Sequence, residues 1–368
     1  MPSLRILFTI QGDGRGHMTQ ALAVQNILHD AGHRVCGILL GREPSDAPPE
    51  FFVRKAAAPI GYYKTFVFST DRQNKAISST ATLLDNLRHA PALIRSLFVI
   101  RNEIRRQKPD IVLNFFEPLV GIGYKLLAPR PPLVCIANQY LLMHPDYPFP
   151  PGRFVERIAT QFWARVTSLG ARRLLALSLK PRSNFPSRTI VVPPLLRPEV
   201  LARPEEGRGP FLLIYLLKSG LRDEIIAWHQ KHPDVELHCF TDLPADAAAE
   251  VRHSPTLTFH RIDERKFLDL MVRCGGMVAT AGYQTLSEAM YYGKPILIVP
   301  VANHYEQACN AHEASLLGAG VAANAFDLDR FLQYLPNHRT DPAPFRRWIS
   351  EAPQRIVQAL EQAAAAAH

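Results

Sequence analysis

Cysteine and long apolar runs are both scarce in this chain. Five cysteines occur among 368 residues, and no pair of them has the Cys-x-x-Cys spacing. This pattern excludes the common zinc-binding and redox motifs and favours reduced, buried thiols. No apolar run approaches the ~20 residues that a membrane-spanning helix needs. The first apolar run, 4–10, is short and leads into glycines, unlike a signal peptide, so we expect a cytoplasmic protein.

The composition is that of a globular protein with a basic surface. Hydrophobic residues make up 47% and charged residues 20%, and 368 residues are enough for two domains. The net charge of +9 favours nucleotide phosphates, nucleic acid or an anionic membrane as partners, although it also fits a merely soluble basic surface. No nucleic-acid-binding motif is present, so we expect no nucleic-acid partner.

The stretch 276–299 has the pattern of a strand, a helix and a second strand. A short apolar run, 276–279, is followed by the small-residue turn Thr280, Ala281 and Gly282. Apolar residues then recur at helical spacing until Gly293-Lys294-Pro295 ends the helix, and 296–299 is a β-branched strand.

Polar residues follow both of these strands. Ligands of parallel sheets bind at the carboxyl ends of strands, where helix N-termini attract phosphate. We therefore expect Glu288 to accept hydrogen bonds from two ribose hydroxyls and Glu306 and Gln307 to bind a sugar. Asn310 is expected to brace the loop that follows the second strand. The predicted phosphate-binding residues of the turn are Thr280, Ala281, Gly282, Gln284 and Thr285.

This region resembles the nucleotide-sugar glycosyltransferases of the GT-B fold. Nearest are glycosyltransferase family 28 and its relatives, including the N-acetylglucosaminyltransferase that makes lipid II. The alternative is an ordinary βαβ unit with polar caps. The matching residues are Gly282, Thr285, Glu288, Ala289, Gly293, Lys294, Pro295, Pro300, Glu306, Gln307, Asn310 and Ala311.

The resemblance implies an α/β protein with two Rossmann-like domains facing a central cleft. Residues 1–195 are the expected acceptor domain, onto which a final helix, 344–362, packs back. Residues 196–343, which begin in a proline-rich linker, are the expected nucleotide-sugar domain. Within it the resemblance places Lys218 beside the diphosphate, and Arg261 and Ile262 beside the base.

A glycine-rich loop, 11–17, follows the first predicted strand. No convincing acidic residue follows the second strand, so we do not predict a NAD site. The resemblance implies that Gly14 and Gly16 lie in a loop that helps to hold the acceptor or the donor diphosphate. His17 ends the loop and is a candidate general base, or else a helix-start histidine with only a structural role.

Further polar residues follow strands of the first domain. Glu117 is a candidate to activate a hydroxyl or to orient His17, and its alternative role is to cap the next helix. Related GT-B proteins tend to carry aspartate where Asn114 stands, which argues against catalysis by that residue. Asn138, Gln139 and His144 resemble the family's acceptor-side cluster, although His144 also fits a plain loop histidine.

Two segments of the first domain carry further structural expectations. The aromatic run 50–56 is predicted to be a strand. The region 83–108 is predicted to be helical, with an apolar stripe beside six basic residues. Such a helix can lie on an anionic membrane, or its charges can simply face solvent.

Together the patterns and the resemblance imply transfer of a sugar, expected from UDP, to the hydroxyl of a small-molecule or lipid-linked acceptor. No Asp-x-Asp pair is positioned for a divalent ion, so we expect no metal and no cofactor beyond the nucleotide sugar. Inversion at the anomeric carbon is expected by family analogy. The alternatives are a nucleotide-sugar hydrolase or epimerase of the same fold, and a non-catalytic binding subunit of a membrane complex.

Overall fold

The computed structural model describes residues 2–43, 45–66, 86, 88–185, 188–215, 222–243 and 248–366. The chain forms two compact units. Unit 1 comprises Met1–Pro198 and Arg347–His368, and unit 2 comprises Glu199–Arg346. Lys218 lies outside the described residues, as do 83–85 and 87 of the predicted basic region.

Unit 1 is built on a seven-stranded parallel sheet in the order β3-β2-β1-β4-β5-β6-β7. The central strands are almost wholly apolar and buried, as parallel strands covered on both faces must be. The strand order reverses between β1 and β4, so their carboxyl ends form a switch point. The strands are β1 Arg5–Gln11, β2 Arg34–Gly41, β3 Ile60–Tyr63, β4 Ile111–Phe115, β5 Leu133–Ala137, β6 Arg173–Leu177 and β7 Thr189–Val192.

Helices cover both faces of this sheet. Because crossovers between parallel strands are right-handed, α1 lies on one face and α3, α4 and α5 lie on the other. A 3-10 helix, Asn138–Met143, follows β5. The helices are α1 Gly16–Asp30, α2 Glu50–Lys55, α3 Ala90–Gln107, α4 Pro118–Leu127 and α5 Phe154–Thr167.

The predicted strand 50–56 is wrong, because these residues form α2. Pro49 precedes the helix in an extended conformation, and Glu50 places a negative charge in its first turn. Phe51 and Phe52 are buried. A short aromatic run does not by itself distinguish a strand from a buried helical turn.

Unit 2 repeats the architecture with a sheet in the order β10-β11-β9-β8-β12-β13-β14. All pairs are parallel except β10 with β11, and the sequence did not predict this antiparallel edge strand. The order reverses between β8 and β12. The strands are β8 Leu212–Tyr215, β9 Leu237–Thr241, β10 Glu250–Ser254, β11 Leu257–Arg261, β12 Gly276–Thr280, β13 Ile296–Val299 and β14 Gly320–Ala322. The helices are α6 Pro198–Leu201, α7 Arg222–Lys231, α8 Glu264–Met271, α9 Tyr283–Tyr291, α10 Tyr305–Leu316 and α11 Leu328–Tyr334.

The C-terminal region contains two helices, α12 Ala343–Ser350 and α13 Ala352–Ala365, where the sequence predicted one. The break falls at Glu351 because Pro353 has no N–H to continue the helical ladder. Trp348 Nε1 donates to the Ser178 carbonyl oxygen over 2.8 Å. α13 packs on α1 and on the face of β4, β6 and β7. The predicted α/β fold class is confirmed, with one mainly parallel sheet in each unit.

Candidate functional site

The glycine-rich loop after β1 is fixed to the end of β2. The Gly12 N–H donates to the Gly41 carbonyl oxygen over 3.2 Å, and Arg42 Nη1 donates to the Gly12 carbonyl oxygen over 3.0 Å. A methyl group on Gly12 would lie 2.6 Å from that Gly41 oxygen, so only glycine fits. Gly14 has a φ of +80°, which also favours glycine. The loop enters α1 at Gly16 with open space beside both Gly14 and Gly16.

His17 is the second residue of α1 and is half-buried at the switch point of unit 1. Its Nδ1 lies 3.3 Å from Gln20 Oε1. An amide oxygen only accepts, so this contact fits the tautomer with its proton on Nδ1, in which Nε2 carries the lone pair that a general base needs. The ring stacks on Phe116, with centroids 5.7 Å apart. Phe116 has a φ of +61°, a conformation that costs energy for an aromatic residue.

Sequence reasoning missed both of these neighbours. Gln20 stands three positions after His17 on a predicted helix, so helical spacing could have found it. Nothing in the sequence indicates that Phe116 turns its ring toward His17, because its left-handed conformation arises only in the folded chain.

Glu117 is fully buried and caps α4. Its Oε1 accepts from the Leu119 N–H over 3.1 Å and from the Thr65 hydroxyl. Burial raises the pKa of Glu117 from 4.5 to about 7, although hydrogen bonds from Thr65, the Leu119 N–H and Tyr63 oppose the rise. The structure therefore shows the capping role. Direct activation of a hydroxyl by Glu117 stays a prediction, and it would require this carboxylate to become accessible.

The side-chain oxygen and nitrogen of Asn114 are both hydrogen-bonded within unit 1. Its Oδ1 accepts from the Glu117 N–H over 3.0 Å and from the Thr9 hydroxyl over 3.1 Å. Its Nδ2 donates to the carbonyl oxygens of Glu117 and Thr167, each over 3.1 Å. This side chain thus fixes the bend between β4 and α4, which positions Phe116 and Glu117.

The predicted acceptor-side residues follow β5. Asn138 and Gln139 open the 3-10 helix and are buried. His144 Nδ1 accepts from the Asp146 N–H over 3.0 Å, and Nε2 lies 3.1 Å from the Ser183 carbonyl oxygen. Nδ1 of His144 thus stabilises its own loop and Nε2 connects that loop to Ser183, as the loop-histidine alternative expects. An acceptor contact by these three residues stays a prediction.

In unit 2, the turn between β12 and α9 lies at the switch point. Gly282 caps α9 with φ −67° and ψ 127°. Asn310 Nδ2 donates to the Ala281 carbonyl oxygen over 3.1 Å and so braces this turn, whereas the sequence had suggested a brace of the loop after β13. Thr280 and Thr285, beside the turn, are half-buried. The backbone N–H groups that open α9 thus have a fixed position at the edge where parallel sheets bind anions.

Glu288 lies one turn into α9 and is 2% exposed. Its Oε1 accepts from Gln284 Nε2 over 2.8 Å. These two predicted ligands are therefore brought together, and Gln284 fixes the position of the carboxylate. The i,i+4 spacing that produces this pair is readable from the sequence.

Glu306 and Gln307 lie in the first turn of α10. Gln307 Oε1 accepts from the Val301 N–H over 2.9 Å and thereby closes the loop after β13. Glu306 is half-buried. Arg261 and Ile262, predicted near the base, lie at and beyond the carboxyl end of β11 and are half-buried. The structure thus places all four predicted residues at the carboxyl edge of the unit 2 sheet.

Within the described ranges, no group of three or more histidine, cysteine or carboxylate side chains is arranged to hold a metal ion. Both carboxylates of the Asp-x-Asp sequence at Asp327 and Asp329 accept hydrogen bonds within unit 2. Asp327 caps α11, and Asp329 accepts from Trp228 Nε1 over 3.1 Å. In the same described part of the chain, no helix is both long and apolar enough to cross a bilayer.

The chain belongs to glycosyl transferase family 1, whose family model matches residues 4–336. It is a glycosyltransferase, and the predicted resemblance to this class is confirmed. No curated protein sequence matches the chain.

Solved structures with the same fold cover both units. The glycotransferase of kitacinnamycin is 18% identical, with 100% of this chain and 98% of that chain covered and a TM-score of 0.62. MurG of Acinetobacter baumannii is 17% identical over 98% of this chain and 100% of its own, with a TM-score of 0.60. UGT2 of Phytolacca americana, complexed with UDP-2fluoro-glucose and pterostilbene, is 13% identical over 99% and 95%, with a TM-score of 0.59. These likenesses show the GT-B fold.

Proposed function

We propose that this glycosyltransferase transfers a sugar from a nucleotide donor, most simply a UDP-sugar, to an acceptor hydroxyl. The observation that carries the proposal is the braced turn of unit 2, where Asn310 holds Ala281 and Gln284 holds Glu288. A helix N-terminus suits the donor diphosphate, and a buried carboxylate suits two ribose hydroxyls. The UDP-2fluoro-glucose complex of Phytolacca americana UGT2 supports the choice of base.

In the proposed reaction, the acceptor oxygen attacks the anomeric carbon as its bond to the diphosphate oxygen breaks. Nε2 of His17 takes the proton of the acceptor hydroxyl, and the nucleoside diphosphate leaves with both electrons of the broken bond. Phe116 packs against the imidazole, and Gln20 Oε1 would accept from its Nδ1–H in the tautomer that this step needs. Attack from the opposite face of the sugar would invert the anomeric carbon.

We also propose that the reaction needs no metal or other cofactor. The N–H groups that open α9, together with Lys218, would take up the growing charge of the diphosphate. Unit 1 would supply the acceptor contacts, including Asn138 and Gln139. The acceptor is a small molecule or a lipid-linked one, and a peripheral membrane contact through 83–108 belongs to the latter case.

To test this proposal, donor binding is measured for the Glu288→Ala variant. Loss of a carboxylate that accepts two hydroxyl hydrogen bonds should weaken the affinity for a UDP-sugar by roughly 100-fold or more, since each charge-assisted bond contributes ~1.5–3 kcal/mol. Isothermal titration calorimetry measures the dissociation constant directly. Glu236→Ala is the matched control, because Glu236 immediately precedes β9 at the opposite edge of the same sheet.

An unchanged dissociation constant in Glu288→Ala would remove the donor site from α9. Incubation of the wild-type protein with UDP-sugars in the absence of acceptor separates transfer from hydrolysis. Rapid release of UDP in that incubation would favour the hydrolase alternative.

A further inference from the structure

Exposed apolar side chains are concentrated on one face of unit 1. Of the eleven large hydrophobic residues that are exposed in the described part of the chain, eight lie on α3, α4 and α5. Surface leucines and phenylalanines that occur singly need no explanation, but a group on adjacent helices does. The eight are Ile94, Phe98, Val99, Leu126, Phe154, Val155, Ile158 and Phe162.

The first two turns of α5 are the most exposed part of this group. Phe154 is 68% and Val155 is 76% exposed. Phe154, Ile158 and Phe162 recur every four residues and therefore share one face of the helix. The only buried residues of α5 are Ala164 and Thr167, near its other end. The sequence of α5 thus presents an apolar face that unit 1 does not bury.

α4 packs between α3 and α5, so the three helices form one layer. A methyl group on Gly123 would lie 3.5 Å from the Leu97 side chain of α3, and one on Gly121 would lie 2.3 Å from the Val166 carbonyl oxygen of α5. Adjacent packed helices are ~8–10 Å apart, so α3 and α5 are separated by roughly 20 Å. Both helices begin near the carboxyl edge of the sheet, and most of their exposed apolar residues lie in their first halves.

The charge of this layer is mainly positive. Both acidic residues of the three helices are already bound to arginines: Glu103 to Arg106 over 2.6 Å, and Glu156 to Arg153 over 3.1 Å. The basic residues within the helices are Arg95, Arg101, Arg105, Arg106, Lys125, Arg157 and Arg165. An apolar face with surrounding arginines is complementary to a bilayer that carries anionic headgroups.

We propose that the outer face of α3 and α5 docks on an anionic membrane surface, with Phe154, Val155 and Ile158 inserted at the headgroup boundary. The sequence prediction of a membrane contact concerned only the helical region 83–108, and the structure adds α5 as the more apolar half of the surface. A second copy of the chain is a poorer occupant, because two such basic faces would repel each other. Docking in this orientation would bring the carboxyl edge of the unit 1 sheet, where His17 lies, toward the bilayer and would favour a lipid-borne acceptor.

The test is sedimentation of the full chain with vesicles. We expect wild-type protein to bind phosphatidylcholine vesicles that contain 30 mol% phosphatidylglycerol, and to bind neutral phosphatidylcholine vesicles weakly. The triple variant Phe154→Ser, Val155→Ser, Ile158→Ser should lose at least ~10-fold in partition, because three apolar side chains no longer leave water. Leu201→Ser with Leu316→Ser is the matched control, since both leucines are exposed in unit 2.

A charge variant tests the electrostatic half of the proposal. Arg95→Glu with Arg105→Glu should reduce binding to the anionic vesicles, and 0.5 M salt should reduce wild-type binding. Unchanged vesicle binding by the α5 triple variant would overturn the proposal, as would wild-type binding that does not depend on anionic lipid. A concentration-dependent dimer that the triple variant abolishes, without vesicle binding, would assign the face to a second copy instead. The assay contains no nucleotide sugar, so its outcome is independent of the proposed donor site.

Discussion

The buried carboxyl group of Glu117 should make the stability of unit 1 depend on pH. Its pKa is raised from 4.5 to about 7 in the folded chain. The folded state therefore binds more protons than the unfolded state between pH 4.5 and 7, and unit 1 should lose stability as the pH rises through this range. A shift of about 2.5 units at 1.36 kcal/mol per unit amounts to about 3 kcal/mol. In Glu117→Gln this contribution should disappear, because the amide is neutral and its oxygen can still accept from the Leu119 N–H and Thr65.

The three tryptophans allow each unit to be followed separately. Trp163 and Trp348 lie in unit 1, and Trp228 lies in unit 2. On a Trp228→Phe background, urea unfolding followed by fluorescence reports unit 1. We expect the free energy of unfolding to fall by about 2.5 kcal/mol relative to Glu117→Gln between pH 5 and pH 8, because part of the total is already lost at pH 5. If the protein with Glu117 and its Glu117→Gln variant showed parallel pH profiles, the pKa of Glu117 would lie near its ordinary value. Burial of this carboxyl group would then not make the stability of unit 1 depend on pH.

Unit 2 should respond to pH in the opposite direction. Burial lowers the pKa of His260 and of His338 from 6.5 to about 4. Beside His260, Lys266 and His238 lower its pKa further, while Glu250 opposes them. The stability contributed by these neutral histidines is present above pH 6.5 and is lost as the pH falls toward 4. In a variant whose only remaining tryptophan is Trp228, fluorescence reports unit 2. We expect unit 2 of this variant to unfold at a lower urea concentration at pH 5 than at pH 7.

Two further predictions concern the proposed reaction. His17→Ala should reduce the turnover number roughly 100-fold with little effect on donor affinity, since the imidazole acts on the acceptor proton; near-normal turnover would move the base role to Glu117. Asn310→Ala should weaken donor binding, because the Ala281 carbonyl oxygen loses its 3.1 Å hydrogen bond and the turn loses its position. Calorimetry with a UDP-sugar checks the second prediction, and donor affinity equal to wild type would show that the turn holds its position without the brace.

Much of the fold could be predicted from local patterns. The limits predicted for the strand 296–299 agree with β13 of the structure, because buried parallel strands are short apolar runs bounded by polar residues or prolines. The motif around the α9 turn was readable for a similar reason. Its glycine, its helix stop and its i,i+4 polar pair are all local features. The strand predicted at 50–56 failed because a short aromatic run fits either a strand or a helical turn.

The roles of individual polar residues were much less predictable. Glu117 follows a strand, which suggested catalysis, yet Thr65 reaches its carboxylate from a position 52 residues earlier in the chain. His144 binds the Ser183 backbone, which lies 39 residues later. Burial and hydrogen-bond partners of this kind depend on contacts between distant segments.

The sequence by itself determined the class of protein, the two α/β units and the turn that the donor is proposed to occupy, because periodicity, glycine positions and helix ends are local properties of the chain. Only the tertiary structure decided that Glu117 is a buried cap, that Phe116 stacks on His17, and that α5 leaves an apolar face uncovered. The physical reason is that burial and charge environment are set by which distant residues pack together, and no local pattern records that packing.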